Sequence, residues 1–162
     1  MNQKDIQCVN EIKILALDMI NMANSGHPGV VLSAAPMMYT LYANHLRIIP
    51  ENPNWINRDR FVLSCGHASA LLYATLHLAG YNITMNDLKS FRRLNSITPG
   101  HPEYGVTPGI ECTTGPLGQG IGQAVGIALA ERYIRTILNK EEEKKQNLID
   151  YYTYVLCSDG DL

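Results

Sequence analysis

The sequence predicts an α/β fold in which a mostly parallel sheet is flanked by helices. A short apolar strand over 61–64 passes through Gly66 into a helix over about 68–79, and a second strand over 152–157 runs into Asp159. Helices outnumber strands, but units of this kind fit an open α/β sheet better than a helical bundle. Such sheets bind ligands beyond the carboxyl ends of their strands, so the residues after each strand are candidates for a site.

Two helices are predicted before the first strand. Apolar residues recur at steps of three and four over 5–24, which is typical of a helix with one buried face, and Gly26 is predicted to end it. The second helix is predicted to begin near Ser33, to carry Pro36 in its first turn and to run to about Leu46.

After the first strand, Thr84 and Asp87 have the spacing of a capping box and predict a short helix to about Leu94. Glycine and proline are so frequent over 95–118 that regular structure is excluded there. A loop of that length is usually functional.

A last helix is predicted from Gln119 to about Lys140. The charged run over 141–145 is predicted to be its solvated end.

The composition excludes several classes of function. The chain has 162 residues, of which 46% are hydrophobic and 17% charged, as expected for one globular domain. Its formal net charge of -2 provides no basic surface for nucleic acid or an anionic membrane. The polar N-terminus lacks the apolar stretch of a signal peptide, and the widely spaced cysteines are typical of a reducing compartment, so we expect a cytoplasmic protein. Small molecules or proteins remain as its partners.

Three of the five histidines, His27, His67 and His101, stand beside glycine or proline. Those neighbours fix the backbone and let a ligand approach closely, whereas His45 and His77 lie within helical patterns and need only an ordinary surface or core role. Imidazole exchanges protons with hydroxyl and carbonyl groups near neutral pH, so the three loop histidines favour chemistry on a polar substrate.

Two further features point to a ligand. The glycine-rich segment over 113–122 opens a helix and could seat a phosphate or a flat ring, although it lacks the P-loop and dinucleotide patterns. Asp159 lies at the predicted ligand edge, where its carboxylate could hold a hard cation that bridges phosphates. Asp159 with Gly160 is also a common turn pair, and taken by itself this feature favours a simple turn.

Four stretches in order resemble the transketolase family, and the resemblance covers nearly the whole chain. They are Ser25-Gly26-His27-Pro28-Gly29, Arg58-Asp59-Arg60-Phe61-Val62-Leu63-Ser64 with Gly66-His67, Thr98-Pro99-Gly100-His101-Pro102-Glu103, and Thr113-Thr114-Gly115-Pro116-Leu117-Gly118-Gln119-Gly120. The resemblance implies that residues 1–162 are the N-terminal part of the thiamine diphosphate-binding (PP-type) domain. The rest of that domain and the second and third transketolase domains would be absent.

The resemblance also implies an activity, which is transfer of a two-carbon ketol unit from a ketose phosphate to an aldose phosphate in the pentose phosphate pathway. His27 and His101 would bind the sugar phosphate substrates and carry the proton transfers. The full-length protein would be a homodimer, with neither nucleic acid nor membrane as a partner.

The cofactors implied by the resemblance are thiamine diphosphate and Mg²⁺, or Ca²⁺ in its place. His67 and Gly160 would contact the diphosphate, Asp159 would bind the metal, and the backbone of Gly115-Pro116-Leu117 would contact the aminopyrimidine side. Cys65 and Ala68 around His67, and Ser158 before Asp159, depart from the usual family residues but keep the proposed ligands. The family's metal motif continues beyond the point where this sequence ends, so we expect incomplete metal ligation and an inactive isolated chain.

Two alternatives share parts of this pattern. A related thiamine enzyme, such as dihydroxyacetone synthase, deoxyxylulose phosphate synthase or a split transketolase subunit, could have the same architecture. The strings Pro-Gly-His-Pro-Glu and Thr-Thr-Gly-Pro-Leu-Gly-Gln-Gly favour transketolase itself. A non-catalytic module that binds a partner through exposed apolar faces is the alternative from another class.

Overall fold

The structure, a computed structural model, describes residues 2–139 and 148–162. Five helices and two strands follow one another along the described chain. They are α1 (Gln3–Ala23), α2 (Pro28–Asn44), β1 (Arg60–Leu63), α3 (Ser69–Leu78), α4 (Met85–Lys89), α5 (Gln119–Leu138) and β2 (Thr153–Leu156). A short 3₁₀ turn follows each strand, over Gly66–Ala68 and over Asp159–Asp161.

The two strands form a parallel pair, which confirms the predicted α/β class. Arg60 lies opposite Thr153 and Leu63 lies opposite Leu156. Because parallel strands run in the same direction, their carboxyl ends meet at one edge of the sheet. The glycine and histidine that follow β1 are therefore brought to the same edge as the aspartates that follow β2.

A single apolar core joins α1, α2, α3 and β1. Ala16 of α1, Ala35 of α2 and Leu71 of α3 are each fully buried in it. The two alanines let α1 and α2 approach closely, and Leu71, Met38 and Leu76 fill the remaining space. The packed helices carry the loops that follow α1 and α3, so they position the predicted site.

The limits of the first two helices differ from the prediction. Asn24, in the left-handed conformation with φ 50°, caps α1 before Gly26 is reached. Helix α2 begins at Pro28 and not near Ser33, because proline needs no backbone N–H in a first turn. Ser33 instead donates a hydrogen bond back to the carbonyl of Gly29, and Pro36 lies inside the helix.

The later elements follow the prediction more closely. Thr84 and Asp87 form the predicted capping box, but α4 ends at Lys89, five residues before Leu94. The loop over 95–118 contains no helix or strand. Helix α5 begins at Gln119 as predicted, and the charged run over 141–145 lies outside the described residues.

Helix α5 contacts both strands but keeps much of its apolar surface exposed. Gly120 and Ala124 are its only buried residues, whereas Val125, Leu129 and Tyr133, spaced four apart, are exposed. Within the described residues no helix combines the length and the apolar character that a membrane span requires.

The contact of α5 with β1 predicts opposite effects for two glycines. A methyl group on Gly120 would lie 2.5 Å from the Cα of Ser64, whereas Gly126 has open space around it. We expect Gly120→Ala to lower the free energy of unfolding by at least about 2 kcal/mol through overpacking. Gly126→Ala should raise it by about 0.5–1 kcal/mol because alanine favours a helix. Urea denaturation measures both, and equal effects would contradict the close contact.

Candidate functional site

The end of β1 passes directly under the glycine-rich loop. After Leu63 the chain turns through Gly66, where a side chain would lie 2.8 Å from the hydroxyl oxygen of Thr114 and 2.9 Å from the backbone nitrogen of Gly115. Only glycine leaves room for this approach. The turn therefore places His67 beside the loop that was predicted to bind a ligand.

The three loop histidines come together at this edge. The rings of His27, which precedes α2, and His67 are 5.1 Å apart between centroids and meet edge to face. His101 lies next to Gly115, whose absent side chain would be 3.5 Å from the imidazole, and it interacts electrostatically with His27 and His67. The sequence predicted these three residues, and the fold brings them into one cluster.

Hydrogen bonds to α3 hold the segment that carries His101. The Ser69 hydroxyl donates to the carbonyl of Gly100 at 2.7 Å, and the Tyr73 hydroxyl donates to the carbonyl of His101 at 3.2 Å. The backbone N–H of Thr114 donates to the carbonyl of Pro102 at 3.1 Å, which ties the two halves of the loop together. The backbone around His101 is thus fixed by neighbours in an otherwise irregular segment.

An ion cluster fixes the far side of the same loop. Arg58 donates two hydrogen bonds to Glu111, from Nε at 2.9 Å and from Nη2 at 2.8 Å, and Arg60 Nη1 adds a third at 3.2 Å. All three side chains are largely buried, so the paired charges are weakly screened. Arg58, just before β1, and Arg60, its first residue, therefore anchor the loop to the sheet, a role that the sequence pattern did not reveal.

Asp161 is the main residue that sequence reasoning missed. Its buried carboxylate accepts hydrogen bonds from the Ser64 hydroxyl at 2.7 Å, the Gly118 N–H at 3.0 Å, and the Ser158 N–H and hydroxyl at 2.7 and 2.9 Å. Burial by itself raises the pKa of this carboxyl, but the hydrogen bonds from Gly118, Ser158 and Ser64 outweigh burial and lower it to about 2. The charged side chain links the end of β1, the start of α5 and the end of β2.

This carboxylate also bears on the two expectations for the glycine-rich segment, a phosphate or a flat ring. The amide of Gly118, which precedes α5, already donates to Asp161, so an internal anion occupies the place where a phosphate would bind. Pro116 and Leu117, next to it, are exposed. The arrangement favours a flat ring over a phosphate at this loop.

Asp159 and Gly160 lie in the 3₁₀ turn that follows β2, and both are exposed. A side chain on Gly160 would stand 3.3 Å from Cδ1 of Leu117, so the turn lies against the glycine-rich loop. Within 2–139 and 148–162, no group of three or more His, Cys, Asp or Glu side chains is arranged to hold a metal. Among these residues, Asp159 is therefore not part of such a group.

The remaining histidines stand apart from the cluster. His45 follows α2 and is exposed. His77 lies in α3, with Nδ1 2.6 Å from the carbonyl oxygen of Ile83.

His101 has an altered acidity. Partial burial lowers its pKa from the ordinary 6.5, and the positive charge of Arg92 and the nearby His27 and His67 lower it further. A lowered pKa leaves the imidazole neutral at pH 7, and a neutral imidazole can accept a proton.

Comparison of the whole chain with known proteins identifies a family. A family model described as the thiamine diphosphate binding domain of transketolase matches residues 4–162. This chain belongs to the transketolase family. It is 59% identical over 155 residues to the probable transketolase of Streptococcus pneumoniae and 52% identical over 162 residues to the transketolase of Bacillus subtilis.

The transketolase relatives are much longer than this chain. The matches cover 95% of this chain and 23% of the Streptococcus protein, and 100% and 24% for the Bacillus protein. The solved transketolase from Leishmania mexicana has a TM-score of 0.93 at 49% identity, over 99% of this chain and 23% of that one. A Pichia stipitis transketolase in complex with sedoheptulose 7-phosphate has a TM-score of 0.92 at 50% identity, over 97% and 23%.

The residues at the sheet edge fit the cofactor of a transketolase. The loop offers an exposed apolar side chain at Leu117 beside the exposed Gly160, which suits the flat ring of such a cofactor. The hydroxyl oxygen of Thr114 is buried and, within the described residues, has no hydrogen-bond partner. A buried polar atom of this kind is often satisfied by a ligand or water.

The position of Asp161 predicts a large loss of stability in Asp161→Asn. In the unmodified chain, four hydrogen-bond donors point at the Asp161 carboxylate. The asparagine amide would turn its own N–H groups towards some of these donors, so we expect the free energy of unfolding to fall by about 2–3 kcal/mol. Asp18→Asn, at an exposed position of α1, is the matched control and should change it by less than about 0.5 kcal/mol. Urea denaturation of each variant makes the comparison, and equal stabilities would show that the four hydrogen bonds contribute little.

Proposed function

We propose that this chain forms the N-terminal part of the thiamine diphosphate-binding domain of a transketolase that transfers a two-carbon ketol unit from a ketose phosphate to an aldose phosphate. The observation that carries the proposal is the convergence of His27, His67 and His101 beside the loop of Gly115. Family membership supports the reaction class. The complex of the Pichia protein with a ketose phosphate supports the substrate class.

We propose that His67, Gly115-Pro116-Leu117 and Gly160 hold thiamine diphosphate and that Asp159 binds Mg²⁺ or Ca²⁺. Thiamine diphosphate, when bound, supplies the electron sink that the cleavage of a carbon–carbon bond requires. The glycines let the backbone approach the ring, and a carboxylate is the ligand that a hard cation prefers. Asp161, by fixing Ser158 against Gly118, holds the Asp159 turn in place.

His27 and His101 are our candidates for the proton transfers. Both residues are open to solvent, although the His101 ring is partly buried, so a bound sugar could present its hydroxyl and carbonyl oxygens to them. His101 would accept a proton from a hydroxyl because it is neutral at pH 7, and it would return that proton as the acceptor sugar is converted to product. Hydrogen bonds from Ser69 and Tyr73 keep its backbone in position during these steps.

The proposal extends to the compartment, the oligomeric state and the substrates of the whole protein. We propose a cytoplasmic homodimer acting on sugar phosphates of the pentose phosphate pathway, in which residues 1–162 are only part of the cofactor-binding domain. Because these residues span only 23% of the Streptococcus relative, we further propose that they do not suffice for activity by themselves.

The complete gene product that carries this chain should convert xylulose 5-phosphate and ribose 5-phosphate in the presence of thiamine diphosphate and Mg²⁺. His27→Ala and His101→Ala should each lower kcat/KM by about 10²–10⁴ because a proton-transfer group is lost. His45→Ala removes an exposed histidine outside the cluster and should leave kcat/KM unchanged. Failure of the unmodified protein with both sugars would refute the proposed reaction, and an equal effect of all three variants would refute the assigned roles.

A further inference from the structure

Arg92 lies next to the histidine cluster in an unusual backbone conformation. Its φ is 61°, in the left-handed region that long side chains rarely occupy, and its backbone N–H donates to the carbonyl of Thr98 at 3.0 Å. Residues held in this region cost free energy and persist where the surrounding structure imposes them, often at functional sites. The conformation directs the Arg92 side chain along Gly100, the neighbour of His101, where a side chain on Gly100 would be 3.4 Å from Nε of Arg92.

The guanidinium group of Arg92 is only partly satisfied. Nη1 donates to the Ser25 hydroxyl at 2.8 Å, but Nε and Nη2 are buried and have no hydrogen-bond partner within the described residues. In Arg58 the same two nitrogens form the paired hydrogen bonds to Glu111. The edge of a guanidinium group that normally holds a carboxylate is thus occupied in Arg58 and unoccupied in Arg92.

The missing carboxylate has an electrostatic consequence. No ion pair joins Arg92 to an acidic side chain in the part of the chain that the structure describes. Arginine stays protonated at all physiological pH values, and burial reduces screening by solvent. Its positive charge, lying along Gly100, therefore acts on the neighbouring His101.

We propose that Arg92 is a positioning residue of the histidine cluster, whose uncompensated charge keeps His101 in the neutral form that can accept a proton. The groups that act most strongly on the His101 ring are Arg92, His27 and His67, and none of them is a carboxylate. From α3, the titratable Tyr73 contacts the His101 carbonyl through its hydroxyl. The pKa of His101, which partial burial lowers first and Arg92 next, agrees with this geometry. The catalytic value of a neutral His101 rests on the proposed function, whereas the effect of Arg92 on His101 does not.

The direct test is an NMR titration of the His101 ring in the 162-residue chain. Arg92→Gln should raise the pH midpoint of His101, because the positive charge that opposes protonation is removed. Arg92→Asn should do the same, and asparagine tolerates a left-handed backbone, so this variant remains informative if the glutamine variant folds poorly. Arg92→Lys keeps the charge and should keep the midpoint nearer to that of the unmodified chain.

Arg93→Gln is the matched control. Arg93 is the next residue, carries the same charge, is exposed and donates to the carbonyl of Met22 at 3.2 Å. Its loss should leave the midpoint of His101 unchanged. The proposal is overturned if Arg92→Gln and Arg92→Asn shift the midpoint no more than Arg93→Gln does, or if Arg92→Lys shifts it as far as Arg92→Gln.

A second measurement connects the effect to catalysis. In the complete gene product, Arg92→Gln should move the acidic limb of the kcat/KM profile to higher pH, and Arg93→Gln should not. An unmoved limb together with a shifted His101 midpoint would overturn the catalytic part of the proposal. Absence of transketolase activity in the unmodified protein would refute the proposed function and leave the NMR result to decide the role of Arg92.

Discussion

The parallel pairing of β1 with β2 is the constraint on which the candidate site depends. The two strands are separated along the chain by α3, α4, the long loop and α5, yet their carboxyl ends meet at one edge because they run in the same direction. The charged carboxylate of Asp161 then joins both strand ends to the start of α5 through four hydrogen bonds. The glycines at 66 and 120 let the segments approach within van der Waals distance, so the edge is compact.

Two arginines of this chain show how partner geometry determines the use of a charge. Arg58 meets Glu111 edge to edge, and the pair anchors the glycine-rich loop to the sheet. Arg92 has the same edge buried but has no acidic partner within the described residues, so its charge is left to act on the imidazoles. An arginine that faces a carboxylate thus holds two segments together, whereas a buried arginine that faces none changes the acidity of its neighbours.

The sequence predicted the type and order of the elements because each depends on local chemistry. Three local predictions were correct: the capping box of Thr84 and Asp87, the irregular glycine- and proline-rich loop over 95–118, and the start of α5 at Gln119. The limits of α1 and α2 were wrong, since an asparagine can replace glycine at a helix end and a proline can open a helix. The cluster of His27, His67 and His101 was predictable from their glycine and proline neighbours, but the roles of Asp161, Glu111 and Arg92 were not. Asp161 and Glu111 depend on partners far away in the chain, and Arg92 depends on having no acidic partner among the described residues.

By itself the sequence determined the α/β class, the family and the candidate residues, because periodicity, turn residues and ordered motifs are local properties that survive without coordinates. Only the tertiary structure decided which of those residues meet and which charges are neutralised. The start of α5 could have accepted an external phosphate until the fold placed the carboxylate of Asp161 against Gly118. Burial, pairing and the distance between charges arise from the folded chain as a whole, and they set both the acidity of His101 and the stability of the edge.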